Sequence, residues 1–213
     1  MTSSQEFSGS GGSSNVITLP NIIDPNSGPG SMVIWVNCST TGSNATFLSS
    51  NSGMGSTGRT WILTRSAADY GTFIGVSLLS GGSQAPDQNN WVFLGCSWSS
   101  GGSGTVQLLR NSVVLNSATL DPDNNSNTMN IGRNHSSTQL TTGKIAHLHI
   151  YNRVISMDEM TQISYGPGTR VSGLLGYWPL WDSSDTQRDL SGNGNNGTRD
   201  PSGEVTDNSD GPI

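Results

Sequence analysis

Short apolar runs separated by turn-forming residues recur along most of the chain. Some runs alternate apolar and polar residues and others are continuously apolar, as expected for two sheets packed face to face. Clusters of glycine and serine, such as residues 80–83 and 99–104, lie between the runs and predict loops. The pattern therefore predicts an all-β sandwich. The predicted strands are 16–19, 32–38, 45–49, 60–66, 72–79, 90–98, 105–110, 113–119, 128–132, 144–151 and 174–180.

One helix is predicted, near residues 156–165. Ser156 and Glu159 have the spacing of a capping box, in which each side chain accepts a hydrogen bond from the backbone amide of the other residue. The Gly-Pro-Gly sequence at 166–168 ends the helix. Asn111 and Ser112 separate two strand runs by two residues, which predicts a tight hairpin.

The two ends of the chain differ in composition from the middle. Residues 1–15 are rich in serine and glycine and predict a flexible arm. Residues 16–180 hold the strand runs and predict the sandwich domain. Residues 181–213 are polar and contain a glycine-dense turn, so they are expected to form a tail that packs on the sandwich or on a neighbouring subunit.

Charge excludes several classes of partner. The formal net charge is -6 and the only lysine is Lys144, so a clustered basic patch for nucleic acid is not expected. No apolar run approaches the roughly 18 residues that a membrane-spanning helix needs. The first residues lack a secretory signal, which predicts synthesis in a cytoplasm. In that compartment Cys38 and Cys96, each at the end of a strand run, are expected to be buried thiols rather than a disulfide.

Catalysis is not expected from the distribution of acidic residues. Glycoside hydrolysis needs two carboxylates on either side of the scissile bond. The three glutamates lie in the arm (Glu6), in the helix cap (Glu159) and in the tail (Glu204), and no aspartate is paired with another acid on a strand. The sequence therefore predicts a protein that is not an enzyme and has no cofactor.

Metal binding stays open as an alternative at one place. Asp189, Asn193 and Asp200 occupy positions 1, 5 and 12 of an EF-hand-like loop and predict a Ca²⁺ site. Aspartate replaces the usual last glutamate and the flanking helices are missing, which favours a glycine-rich turn instead. His147 and His149 lie on one face of a strand and are expected to be a pair on the sheet surface.

Sugar binding requires an exposed aromatic ring beside polar loop groups. The candidate ligand-binding residues beside predicted loops are Tyr70, Trp98, Asn134 and His135. The tryptophans inside strand runs are assigned to the core: Trp35, Trp61, Trp91 and Trp178.

Three segments resemble the laminin G-like branch of the concanavalin A-like lectin/glucanase superfamily. They are residues 91–112, residues 129–156 with the capped helix, and the Gly-Tyr-Trp-Pro-Leu and Asp-Leu-Ser-Gly-Asn sequences within 173–198. Ser112 departs from the Asn-Gly that the family usually has in this hairpin. The resemblance implies a jelly-roll sandwich of two antiparallel sheets, and it implies function far less because members of this superfamily differ in activity.

The third segment also resembles laminin G-like proteins of bacteriophage genomes. This resemblance implies a virion surface protein, either a capsid decoration protein or a tail-surface subunit, made in the host cytoplasm. Such a protein is expected to form a homo-oligomer, to contact other virion proteins through its ends and to adhere to surface glycans. The alternative is a carbohydrate-binding module of an extracellular or cell-surface protein.

Overall fold

A computed structural model describes residues 3–10, 15–39, 44–50, 60–64, 69–122, 128–202 and 205–212. Sixteen strands and one α-helix lie in these ranges. The strands are β1 (Ser4–Ser8), β2 (Ile17–Leu19), β3 (Gly30–Cys38), β4 (Ala45–Ser50), β5 (Thr60–Thr64), β6 (Asp69–Ile74), β7 (Ser77–Ser83), β8 (Val92–Trp98), β9 (Gly104–Arg110), β10 (Val113–Leu120), β11 (Met129–Ile131), β12 (Thr142–Tyr151), β13 (Leu174–Trp178), β14 (Thr186–Gln187), β15 (Gly197–Arg199) and β16 (Val205–Asn208). The helix α1 is Met157–Tyr165.

The strands form two antiparallel sheets, which confirms the predicted all-β sandwich. Sheet I has the order β10-β9-β8-β3-β12-β1-β16, and β13 pairs with the remaining part of β12. Sheet II has the order β14-β15-β2-β11-β4-β5-β6-β7. The predicted strand 72–79 is instead a hairpin of β6 and β7, because Gly75 adopts a positive φ of 66° and turns the chain.

Alternation along the strands of sheet I separates an inner side from an outer side. On β3, Met32, Ile34 and Val36 are fully buried in the core between the sheets. Val33 and Trp35 point to the opposite side, as successive strand residues must. We call the side facing sheet II the inner side and the other the outer side.

Helix α1 covers part of the outer side of sheet I. The predicted capping box at Ser156 and Glu159 is present, and the hydrogen bond from Arg153 lowers the pKa of Glu159 to about 2. Met160 and Ile163 are buried in a second apolar cluster against the sheet. Tyr165, in contrast, is 82% exposed at the end of the helix.

The terminal segments belong to the sandwich itself. β1 lies between β12 and β16, and Phe7 is buried in the core, so the predicted flexible arm is wrong for Ser4–Ser8. Residues 1–2 and 11–14 of that arm lie outside the described residues. The predicted boundaries of the sandwich at 16 and 180 are also too narrow, since β1 and β16 pair in sheet I and β14 and β15 in sheet II. The described parts of both terminal segments therefore form strands of the sandwich.

The two cysteines are not joined in a disulfide, and both are buried, as the sequence predicted. Burial raises the pKa of Cys96 to about 12, so its thiol is inert. Within the described ranges, no helix is long and apolar enough to cross a membrane.

Candidate ligand-binding site

Tyr70 is not a sugar platform, because its ring is only 2% exposed. Its hydroxyl donates to Asp87 Oδ2 at 2.8 Å, and Asp87 also pairs with Arg110. Burial, with a smaller contribution from Asp87, raises the pKa of Tyr70. This cluster was not predictable from local patterns, because Tyr70, Asp87 and Arg110 come from different elements.

Trp98 is also buried, with no exposed surface. Its Nε1 donates to the carbonyl oxygen of Gly28 at 2.9 Å. A Cβ on Gly30 would overlap the Trp98 ring, so the glycine makes room for it. Trp98 lies two and four residues after Cys96 and Leu94, and this spacing places all three on the inner side.

Asn134 shapes its own loop rather than a ligand site. Its side chain is buried; Oδ1 accepts from the Thr138 amide at 2.9 Å and from the Gln139 amide at 3.2 Å. Its Nδ2 donates to Thr138 Oγ1 at 3.0 Å. His135 is exposed in the same loop. The four predicted ligand-binding residues are therefore not brought together in one site.

The Asp189 turn is an internal hydrogen-bonded structure rather than a set of converging metal ligands. The Asp189 carboxylate accepts from the amides of Tyr177 and Asn195, both at 2.9 Å, and from the amide and hydroxyl of Ser191, both at 2.8 Å. Burial raises the pKa of Asp189, but these hydrogen bonds outweigh it and the net pKa is lowered. The carboxylate is thus already occupied by donors.

The other two predicted calcium ligands also have different roles. Asn193 Nδ2 donates to the carbonyl oxygens of Leu174 and Leu175, both at 3.0 Å. Asp200 Oδ1 accepts from the Ser202 amide at 2.9 Å in the following turn. Over the described ranges, no three acidic, histidine or cysteine side chains are grouped as metal ligands would be.

His147 and His149 are buried, so the predicted surface pair is wrong. A bulge in β12 and the positive φ of His147 (51°) disrupt the regular alternation. His147 Nδ1 lies 3.0 Å from the Tyr177 hydroxyl, and the two nitrogens of His149 face the carbonyl oxygens of His147 and Pro167. Burial lowers the pKa of each histidine to about 4.

A cleft of about 300 Å³ lies on the outer side of sheet I, next to helix α1. Its floor is aromatic: Trp35 comes from β3, Phe93 from β8, and Trp91 directly precedes β8. Trp35 and Phe93 are paired across the two strands, with ring centroids 5.3 Å apart. Trp35 and Trp91 are partly exposed. We call this cavity the aromatic cleft.

The walls of the aromatic cleft come from the helix and a hairpin. Tyr165, Thr161 and Ser164 stand on one side. Asn111 and Ser112 form the tight turn of the β9–β10 hairpin on the other, both with positive φ (50° and 60°). The predicted turn is confirmed. Ser112 holds a conformation that glycine adopts more easily, which is backbone strain beside a cavity.

Two polar atoms in the described lining of this cleft have no internal hydrogen-bond partner. Trp35 Nε1 and Ser112 Oγ are buried and have no hydrogen-bond partner among the described residues. Other buried atoms of the described chain, such as Asn130 Nδ2 and Tyr151 Oη, share this property, and ordered water or a bound molecule satisfies such groups in proteins. Trp91 Nε1 also lacks a partner of normal hydrogen-bond geometry and lies near the Asp210 side chain.

A polar pocket of about 350 Å³ is lined by Asn37, which lies two residues after Trp35 on β3. Its lining includes Glu6, Asn37, Asn89, Lys144 and Asp210. Lys144 Nζ donates to Asp210 Oδ2 at 2.7 Å, and this hydrogen bond lowers the pKa of Asp210. Glu6 lies opposite Lys144 in the β1–β12 pair. The predicted arm thus supplies a side chain to this pocket.

The sequence pattern assigned Trp35 and Trp91 to the core, but both are only partly buried on the outer side of sheet I, where Trp35 packs against the second apolar cluster. The alternation of successive strand residues between the two sides of the sheet could have corrected this assignment. Trp35 alternates with Ile34 and Val36, and only one of the two sets can face sheet II. The side chain of Trp61 lies outside the described residues, and Trp178 is buried as predicted.

A family model described as "Concanavalin A-like lectin/glucanases superfamily" (laminin G 3) matches residues 10–161. Comparison with curated proteins gives no match.

Solved structures with similar folds include a Bacteroides ovatus protein described, provisionally, as carbohydrate binding. It has 15% identity and a TM-score of 0.72, and the alignment covers 100% of this chain and 61% of that one. A heptameric pentraxin from Limulus polyphemus has 11% identity and a TM-score of 0.63, with 97% and 94% covered. Domain 4 of an extracellular arabinanase from Geobacillus stearothermophilus, in complex with arabinotriose, has 19% identity and a TM-score of 0.54, with 75% of each chain covered.

Proposed function

The chain belongs to the concanavalin A-like lectin/glucanases superfamily, and we propose that it is a non-catalytic carbohydrate-binding domain whose glycan site is the aromatic cleft. The observation that carries the proposal is the indole of Trp35, which lines the same cleft as Ser112. Trp35 Nε1 and Ser112 Oγ both lack a hydrogen-bond partner among the described residues. The family match confirms the predicted jelly-roll family, and the glycan-binding function is our proposal.

The chemistry of the cleft suits a sugar. The apolar face of a sugar ring packs on an aromatic ring, while its hydroxyl groups hydrogen-bond at the edges. Trp35 and Trp91 supply partly exposed rings, and the indole N–H groups and Ser112 supply hydrogen-bonding atoms at the side of those rings. Tyr165 adds a further aromatic ring to the lining at the end of helix α1.

Two of the structural neighbours support a glycan as ligand. The Bacteroides ovatus protein is described as carbohydrate binding, and the arabinanase domain was solved in complex with arabinotriose. The chain spans 61% of the length of the Bacteroides ovatus protein, so the activity of that whole protein is not carried over to this chain. We propose an extracellular or cell-surface location, in keeping with a domain that binds glycans. The virion surface role remains a prediction; the ends that were expected to contact neighbouring subunits pair within the chain.

Glu6 and Asp210 are the carboxylates that line the polar pocket, so they are the candidates for a glycosidase acid and base. A general acid of a glycosidase needs a raised pKa. The hydrogen bond from Lys144 instead lowers the pKa of Asp210, and Glu6 Oε2 accepts from Asn208 Nδ2. We therefore propose binding without hydrolysis, so incubation with bound glycans should release no reducing ends.

The test is a glycan array followed by titration of the best binder. Replacing Trp35 with alanine should weaken binding by about tenfold or more, equal to about 1.4 kcal/mol, because the ring and its N–H are both lost. Trp181→Ala is the matched control: Trp181 is 45% exposed but lies outside the cleft. Circular dichroism verifies that both variants fold.

Two outcomes would refute the proposal. Silence across neutral and acidic glycans would remove the ligand class altogether. Binding that Trp35→Ala leaves intact and Trp181→Ala abolishes would move the site to the other exposed tryptophan.

A further inference from the structure

We infer that the ligand is a neutral oligosaccharide of two or more residues that extends from the aromatic cleft into the polar pocket, an inference that rests on the proposed function. The two cavities are lined by side chains on the same side of β3, and their combined described lining carries more negative than positive charge.

The first point is continuity along the strands. Trp35 and Asn37 are two residues apart on β3 and share the outer side, about 7 Å from each other. Trp35 lines the cleft and Asn37 lines the polar pocket. Trp91 of the cleft lies near Asp210 of the pocket. A chain of sugars can therefore pass from one cavity to the other without leaving the sheet surface.

The second point is size. The cleft and the pocket hold about 300 and 350 Å³. Small-ligand sites of proteins begin at roughly 300 Å³. Two such spaces side by side suit a ligand with at least two units, one stacked on tryptophan and one held by polar groups.

The third point is charge. The described lining of the cleft contains aromatic residues, hydroxyl groups and an asparagine, and none of these residues is a cation. The polar pocket contains two carboxylates, Glu6 and Asp210, and one ammonium group, Lys144, which is already paired with Asp210 at 2.7 Å. The carboxylate of a uronic or sialic acid would meet like charge there and no unpaired cation among the described lining residues.

The fourth point is hydrogen bonding. A sugar hydroxyl both donates and accepts. The carboxylates of Glu6 and Asp210 accept strongly, and the amides of Asn37 and Asn89 carry donors on their nitrogen atoms. This mixture matches neutral sugars, whose hydroxyl groups can serve both kinds of partner.

The experiment compares neutral and acidic probes of increasing length. The probes are mono-, di- and trisaccharides of glucose, galactose, xylose and arabinose, together with uronic-acid and sialylated counterparts, titrated into the intact protein. We expect neutral probes to bind at least about tenfold more tightly than their acidic counterparts, or about 1.4 kcal/mol, and affinity to rise from one to three residues.

A charge variant tests the cause of this preference. Glu6→Gln together with Asp210→Asn removes both carboxylates and leaves Lys144 unpaired, so the preference for neutral over acidic probes should fall by about tenfold. Asp121→Asn with Asp185→Asn makes the same change in net charge at exposed positions outside both cavities and should leave the preference unchanged.

The outcomes separate the two levels of the proposal. Acidic probes that bind as tightly as neutral ones, with binding still dependent on Trp35, would overturn this inference and keep the carbohydrate-binding function. Equal affinity for one and three residues would overturn the two-cavity ligand. No binding by any probe would overturn both the inference and the function.

Discussion

The inner region around Trp98 and the outer region around Trp35 contain the same residue type on neighbouring strands. Trp98 is fully buried, its Nε1 is bonded to the Gly28 carbonyl, and Gly30 leaves space for its ring. Trp35 is partly exposed, and its Nε1 has no partner within the described chain. The polar atom of the first ring is satisfied within the chain, whereas that of the second has no partner among the described residues.

This difference predicts which residues stabilise the fold and which are available to contact a ligand. Where every polar atom has an internal partner, a substitution should lower stability and leave ligand affinity alone. Where polar atoms lack partners, a substitution should lower affinity at little cost in stability. Four predictions test this separation.

The largest effect is expected for Trp98. Trp98→Ala removes a fully buried ring and should lower the free energy of unfolding by about 4 kcal/mol. Trp35→Ala should cost no more than about half of that, because its ring is partly exposed. Denaturant titration of both variants measures the two losses. Equal losses would show that Trp35 is a core residue after all.

The next effect is expected at Asp189, whose carboxylate accepts three hydrogen bonds within its own turn and a fourth from the Tyr177 amide of β13. Asp189→Ala should lower the free energy of unfolding by about 3 kcal/mol, because these partly buried donors lose a charged acceptor. Asp185→Ala, at an exposed position, should change it by about 0.5 kcal/mol or less. Excess calcium should not change the melting temperature of the unmodified protein. A calcium-dependent increase that Asp189→Ala abolishes would restore the metal site.

A pH effect is expected from the two buried histidines. Burial lowers the pKa of His147 and His149 to about 4, below the unfolded value near 6.5. Their stabilising contribution is therefore complete above about pH 6.5 and is lost as the pH falls towards 4, because the unfolded chain takes up protons first. The slope is at most about 1.4 kcal/mol per pH unit for each proton.

The control for the pH effect is a third histidine. His149→Gln should reduce the slope of stability between pH 6.5 and 4, measured by denaturant titration at several pH values. His135→Gln, at an exposed position, should leave the slope as it is. An unchanged slope in His149→Gln would show that this histidine does not carry the effect.

The smallest effect on stability is expected at Ser112. Ser112→Gly relieves a positive φ of 60° and should raise the free energy of unfolding by about 0.5 kcal/mol. The same change removes a hydroxyl from the aromatic cleft and should weaken glycan binding severalfold. Asn111→Gly should instead lower stability, since Asn111 Oδ1 accepts from the Phe93 amide at 3.0 Å. Unchanged affinity in Ser112→Gly would remove Ser112 from the site.

Features that depend on near neighbours in the chain were predictable. The helix cap needs only Ser156 and Glu159, three residues apart, and the hairpin turn needs only Asn111 and Ser112. Most strands were predicted because burial on one side of a sheet leaves an alternating pattern in the sequence. The resemblance of three segments to a known family then led to the jelly roll, which the family match confirms.

The candidate site depended on contacts between residues far apart in the sequence. A serine- and glycine-rich segment looks flexible by composition, but pairing with β12 and β16 and burial of Phe7 convert residues 4–8 into a strand. That strand places Glu6 beside Lys144, and β3 and β8 together place Trp35 beside Trp91 and Phe93.

The sequence by itself determined most of the inner strands, the capped helix and the turn, because these follow from local backbone preferences and from the alternation of side chains. Only the tertiary structure decided which side of each strand faces sheet II. Alternation fixes which residues share a side, but the position of the second sheet decides which side is buried. For that reason Trp98 lies in the core and Trp35 lies in the cleft.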